Sequence, residues 1–233
     1  MFMRWEHLCF MHWRVDAALL RPHVPPALAL DEFDGSAWLG VVPFVMSGVR
    51  HWRLPAVPGL SRFPELNVRT YVRDRREGKH GVWFFTLDAH HRIAVRVARR
   101  FFALNYQDAA MRARVDAQGW VWFESRRVHR GALPAALRVR YRPTGPVRLA
   151  ARGTLEEFLT ERYCLYAHRP AGAGTLLRGD IHHEPWPLQP AEAIVDECTM
   201  AQGAGLPAVS GPPLCHYAAR LEVPAWWPGV VAV

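Results

Sequence analysis

The sequence predicts a β-rich α+β fold, a mainly antiparallel, barrel-like sheet system with about three packed helices. Three observations lead there. Apolar and polar residues alternate over many short stretches, turns marked by Gly and Pro separate those stretches, and no regular strand–helix alternation is present to build a parallel sheet. The elements come to roughly ten strands and three helices, the strands mostly sequential.

The chain opens on MFMRWEHLCFMHWRV, whose alternation suggests a first strand. Asp16 is placed to cap a short helix that Pro22, Pro25 and Pro26 stop. Ala27 to Leu30 runs into Asp34-Gly35, and an apolar strand resumes from Ala37 to Val45, which is a hairpin signal. Arg50 to Arg62, with Pro55, Pro58 and Gly59, reads as a loop.

Phe63 to Ala89 carries the clearest strand pair. Leu66, Val68, Thr70 and Val72 share one face of the first strand, while Glu65, Asn67, Arg69, Tyr71 and Arg73 share the other. Val82 to Leu87 leaves no face for water, so the second strand should be covered on both sides or line a closed interior.

From His90 to Leu104 the period becomes helical: Ile93, Val97, Phe101 and Leu104 form an apolar stripe, opposite Arg92, Arg96, Arg99 and Arg100. That basic face is either solvated or anion-binding. Ala110 to Val115, Trp120 to Val128 and Ala136 to Arg142 alternate as strands. Thr154 and Glu157 form a capping box that starts a helix of two to three turns. Thr175 to Val195 and Pro213 to Val223 are strands again, interrupted by HHEPWPLQP, whose prolines confine it to an edge or an irregular crossing.

Half of the residues are hydrophobic, enough for one sizeable core and a single domain over 1–233. The net charge of +8 is carried by 28 Arg against one Lys, Lys79, and the arginines are spread along the chain, unlike the clustered footprint of a nucleic-acid binder. Cys9, Cys164, Cys198 and Cys215 form no CxxC pair and read as free thiols of a reducing compartment. Arg4, Glu6 and His7 break up the N-terminus, which lacks a signal-peptide core, and no run approaches the ~20 apolar residues of a membrane span. A cytoplasmic, soluble protein is expected. The apolar C-terminal AWWPGVVAV, with Trp226-Trp227, should fold back over the barrel or dock on a second subunit.

Several segments together resemble the YqjF-like family of unknown function: FPELNVRTYVR, GVWFFTLDA, RYRPTG, GTLEEFLTERYCLY and IHHEPWPLQPAEA among them. That resemblance implies a distant relation to acetoacetate decarboxylase, hence a barrel-like domain with a central cavity and a few outer helices. It implies no reaction. Those decarboxylases use a lysine whose lowered pKa lets it form a Schiff base, the handling of an amine for which that enzyme is a standard example. Here Lys79 sits in the turn composition RREGKHG, and the position the resemblance implies for the reactive lysine, near Asn105 and Tyr106, has no amine.

Glu65, by the same resemblance, matches the glutamate of the decarboxylase cavity. Alternation places Asn67 and Arg69 beside it on one face, ~7 Å apart per step. Facing a cavity, Arg69 would hold a carboxylate while Glu65 handles a proton; facing solvent, Glu65 and Arg69 would form an ordinary ion pair. The expected cavity lining is Glu65, Asn67, Arg69 and Tyr106, with His182 as a further ligand-binding candidate or a buried, hydrogen-bonded histidine. His90-His91 and His182-His183-Glu184 lack metal-site spacing, since neighbours on a strand point to opposite faces, and no metal or cofactor is expected. The sequence thus describes a cavity-containing protein for a small anionic organic ligand, catalytic or not; the alternative is a non-catalytic basic module for nucleic acid or a protein partner.

Overall fold

The computed structural model describes residues 1–50, 61–90, 104–168 and 175–231. The predicted loop at 50–62 and the arginine-rich helix at 90–104 fall almost wholly outside the described residues. The strands are β1 (Phe2–Val15), β2 (Leu28–Leu30), β3 (Ala37–Arg50), β4 (Phe63–Asp74), β5 (His80–Ala89), β6 (Tyr106–Val115) and β7 (Val121–Arg127). They continue with β8 (Ala136–Pro143), β9 (Cys164–His168), β10 (Leu176–Asp180), β11 (Gln189–Cys198), β12 (Leu214–Pro224) and β13 (Gly229–Val230). Among the described residues three short helices accompany them: α1 (Ala17–Leu20), α2 (Leu155–Thr160) and α3 (Met200–Gly203).

All thirteen strands join in one sheet, which closes on itself in the order β5-β6-β7-β8-β11-β12-β1-β3-β4 because β4 also pairs with β5. The result is a β-rich, barrel-like α+β fold. Pairing is antiparallel except where β5 meets β6 and β9. β9, β10 and β13 form a small extension that leaves the barrel at β5.

Cross-strand register shows which face is inside. Val68 lies opposite Thr86 and Val41, Met11 opposite Val41, Cys9 opposite Tyr217, and Phe123 opposite Val139. These side chains are buried and most belong to one apolar cluster to which all nine barrel strands contribute. The lumen is therefore packed with side chains, as expected of a small barrel. Polar side chains lie within it too: Arg127 Nη2 sits 2.8 Å from Asp88 Oδ1, and the same guanidinium donates to the Thr86 hydroxyl and the Leu133 and Gly203 carbonyls.

The opposite face of β6, β7 and β8 shows Glu124, Arg126 and Arg138 to water. On β1, β3, β4 and β5, however, the outward face carries a second apolar cluster that includes Phe10, Val42, Phe44 and Leu87. Ala167 of β9 and Trp186 and Leu188 of the proline-rich crossing cover it. This second layer explains why β5 is apolar on both faces.

Two expectations change. The Asp34-Gly35 turn closes only a bridge between Phe33 and Ser36, and β2 pairs with β4, so 27–45 is not a hairpin. The capping box forms, with Thr154 Oγ1 accepting from Glu157 N, but α2 has only six residues because β9 takes up the chain at Cys164. The C-terminal segment folds back: Trp226 N donates to the Asp180 carbonyl and β13 pairs with β10, leaving Trp226 and Trp227 46% and 59% exposed.

Candidate functional site

Between the outer wall of the barrel and its cover lies a cavity of about 270 Å³. Its polar floor is β4. Glu65, Asn67 and Arg69 line it, as does Tyr106 at the start of β6. Leu66 and Val68, interleaved with them, face the packed lumen. The trio therefore stands on the outside of the barrel wall and not in a central cavity, the place the resemblance to the decarboxylases implied.

Glu65 is 3% exposed and accepts a hydrogen bond from the Tyr106 hydroxyl, Oη to Oε2 3.0 Å. Its side-chain neighbours across the wall are Phe44 and Ala89. Burial among them penalises the carboxylate and pushes the Glu65 pKa up to about 8, the Tyr106 hydrogen bond pulling only partly the other way. Tyr106 is itself raised well above the ordinary phenol range, by burial first and by Glu65 second. At neutral pH the pair is mostly a carboxylic acid beside a phenol.

Arg69 is held differently. Its Nη2 donates to the Leu159 carbonyl at 3.2 Å and approaches the Tyr71 hydroxyl at 3.4 Å, while its guanidinium carbon lies 5.3 Å above the Phe10 ring. Nε has no partner, and Arg69 is matched to no carboxylate among the described residues. The alternative, a Glu65–Arg69 ion pair on a solvated face, is not formed among the described residues; both side chains face the cavity.

A glycine lets Arg69 meet a histidine. Gly40 of β3 stands opposite both Arg69 and His12, and a Cβ there would lie 3.3 Å from Arg69 Cγ and 3.2 Å from His12 Cδ2. Without it the two side chains converge on Tyr71, whose hydroxyl lies 2.6 Å from His12 Nε2 and donates to the Leu159 carbonyl at 2.8 Å. One hydroxyl proton serves one acceptor, so His12 must donate through Nε2. Burial, then Arg69 and His216, hold His12 well below the ordinary histidine range, in keeping with a neutral ring whose Nδ1 is unpartnered.

Arg162 is the second cation of the lining, and it is neutralised: Nη1 contacts Asp31 Oδ2 at 2.7 Å and Nε donates to the Phe158 carbonyl. Burial opposes ionisation of Asp31, but hydrogen bonds from His80 and Arg162 outweigh it and lower its pKa. Arg69 is thus a guanidinium of the wall without a carboxylate partner among the described residues.

His182 requires a correction. Its side chain is exposed and outside the cavity, whereas His183 is buried and lines it. His183 stacks on Tyr163 with centroids 4.4 Å apart and donates through Nδ1 to the Glu184 carbonyl, 2.8 Å away. Arg162, His183 and Trp186 had no periodic signal to reveal them, since they come from irregular segments. Lys79 lies in the β4–β5 turn, Nζ 2.9 Å from Asp180 Oδ1, and does not line the cavity. Among the described residues no three His, Cys, Asp or Glu side chains are grouped to hold a metal ion.

The family model for DUF2071, an uncharacterized conserved protein, matches residues 2–222. The uncharacterized protein YqjF of Bacillus subtilis strain 168 is 40% identical over 222 residues, covering 95% of this chain and 88% of that protein. Among solved structures, acetoacetate decarboxylase from Legionella pneumophila is similar with a TM-score of 0.62 at 14% identity, over 99% of this chain and 87% of that one. The enduracididine biosynthesis enzyme MppR complexed with pyruvate is similar at a TM-score of 0.66 and 10% identity, over 99% and 90%. An acetoacetate decarboxylase-like enzyme from Sphingomonas wittichii RW1 is similar at 0.66 and 12%, over 99% and 92%. At these identities the likeness is one of fold.

Proposed function

The chain belongs to the DUF2071 family, and we propose that it binds a small organic carboxylate over β4, with Arg69 as anchor and Glu65 as a proton-carrying group, and without Schiff-base chemistry. The observation that carries this reading is Arg69, a guanidinium in the cavity wall with Nε unbonded and no carboxylate partner among the described residues. Arg69 is half-buried, with its Nε shut off from water and unpaired, and a ligand carboxylate would satisfy it. Other unpartnered buried atoms of the lining are the donors Trp5 Nε1 and Trp186 Nε1 and the acceptor Asn67 Oδ1, so donors predominate. MppR, of similar fold, has been seen with pyruvate bound.

Glu65 adds the chemistry. A neutral carboxylic acid at pH 7 donates a hydrogen bond or a proton to a ligand oxygen or carbon beside it, with Tyr106 stabilising the carboxylate left behind. No lysine is available for imine formation among the described residues of the lining: the sole lysine, Lys79, is ion-paired outside the cavity.

The test is thermal stability against a panel of keto acids, hydroxy acids and other carboxylates, repeated with Glu65→Gln and Arg69→Ala. A ligand at a hundredfold excess over its dissociation constant stabilises by ~2.7 kcal/mol. A shift lost in Arg69→Ala supports the reading; carboxylate shifts indifferent to that variant, or none at all, refute it. The alternative, a basic module for nucleic acid, has one supporting observation: Arg114, Arg140 and Arg142 share the outer face of the barrel with Trp120 and Trp122. Those guanidinium groups already lie over the two rings, and Arg142 also pairs with Glu192. Arg96 and Arg99 lie outside the described residues. Oligonucleotide binding that weakens steeply with salt would favour this second reading.

A further inference from the structure

The polar groups of the cavity are not scattered. At one end Arg69 meets the Leu159 carbonyl, with Thr160 and Arg162 beside it in the lining. Six residues back along β4, ~20 Å at the rise of a strand, Phe63 stands opposite Met46 and Met46 opposite Trp5. Met3 and Val49 extend that end of the lining. The only side-chain nitrogen or oxygen these five residues bring is Nε1 of Trp5. Glu65 and Asn67 lie between the two ends, each flanked across the sheet by apolar neighbours: Phe44 and Ala89, then Val42 and Leu87.

A cavity with two guanidinium groups at one end and apolar side chains at the other, where the Met1 ammonium is held by the Ala225 carbonyl at 2.7 Å, fits an amphiphile. Its volume of about 270 Å³ holds roughly nine water-sized groups at ~30 Å³ each, more than pyruvate or acetoacetate fills. Resting on the carboxylate reading above, we infer that the ligand is a medium-chain or aryl-substituted carboxylic acid, its headgroup at Arg69 and a tail of roughly six to eight carbons running past Glu65 to Phe63, Met46 and Met3. The methionines suit such a tail because their unbranched, polarizable side chains adapt to tails of differing shape.

Isothermal titration of the full chain with straight-chain alkanoates from two to twelve carbons tests this. Affinity should rise about fourfold for each added methylene up to about eight carbons and then stop rising, with 3-phenylpropanoate close to the best. Met46→Trp should move the optimum to shorter acids and Met46→Ala to longer ones, the second variant serving if the first does not fold. Affinity independent of chain length, with Arg69→Ala still abolishing it, would overturn the tail while leaving the carboxylate site intact. Octan-1-ol binding as tightly as octanoate would instead refute the carboxylate site itself. An optimum unmoved by both Met46 variants would show that the tail lies elsewhere.

Discussion

The Tyr106 hydroxyl reaches Glu65 Oε2 across 3.0 Å inside an apolar enclosure, so the side chain that closes β6 onto β5 also sets the proton of β4. Glu65 titrates near 8 when folded and near 4.5 when unfolded. A carboxyl raised in this way favours the folded state while it keeps its proton, so its contribution is full below pH 4.5 and is lost as pH rises through about 8. Glu65→Gln should remove this slope. Urea unfolding at pH 5 and pH 9 should show the variant gaining roughly 2 to 4 kcal/mol relative to wild type at the higher pH; parallel pH profiles would contradict it.

Tyr106→Phe acts on the same group with a different sign of information. The phenol stabilises the carboxylate form of Glu65, so its removal should drive the Glu65 pKa still higher. The carboxylic C=O stretch in the infrared, followed against pH, reads this directly. A downward shift would mean that the phenol accepts from Glu65 instead of donating to it.

Asp88→Ala should be among the most damaging single changes in the chain. It leaves the Arg127 guanidinium in the packed lumen, with both partners of the pair almost wholly buried, at a cost of about 3 to 5 kcal/mol. The double change Asp88→Leu with Arg127→Met should recover most of that loss in the same denaturation assay, because two apolar groups need no pairing.

Gly81→Ala should loosen the junction between β5 and β9. A Cβ there would lie 2.6 Å from Cys164 Sγ and 2.8 Å from the Cys164 carbonyl oxygen, a backbone atom that cannot swing aside. Overpacking of this kind costs about 1 to 3 kcal/mol. Faster amide exchange confined to β9 and β10 would locate the damage; unchanged exchange there would contradict it.

Much of the wall was legible in the sequence, because a two-residue period survives wherever one strand has one wet and one dry face. β7 and β8 fall within a few residues of their predicted limits for that reason. On β4 the same period separated Glu65, Asn67 and Arg69 from Leu66 and Val68, but alternation is symmetrical about the sheet and does not say which side is the lumen. Only closure of the barrel, through pairing of β4 with β5, decides it. His182 was favoured over His183 since a proline-rich crossing has no period to choose between them. Arg162 was invisible because its significance comes from Asp31, distant in sequence. Asp88 and Arg127 were hidden for the same cause: each reads as a surface charge until the strands that carry it curl around a common axis.

The packed lumen and the cavity share a single layer of backbone on β4, and that gives selection two handles on one strand. Even-numbered positions from 66 to 72 answer for whether the chain folds, whereas the odd ones from 63 to 69 answer for what it holds. Relatives can therefore diverge in ligand preference by altering every second residue, with the scaffold's stability left to the intervening ones. A deep mutational scan of this strand would be expected to oscillate with a period of two, its abundance and binding scores out of phase.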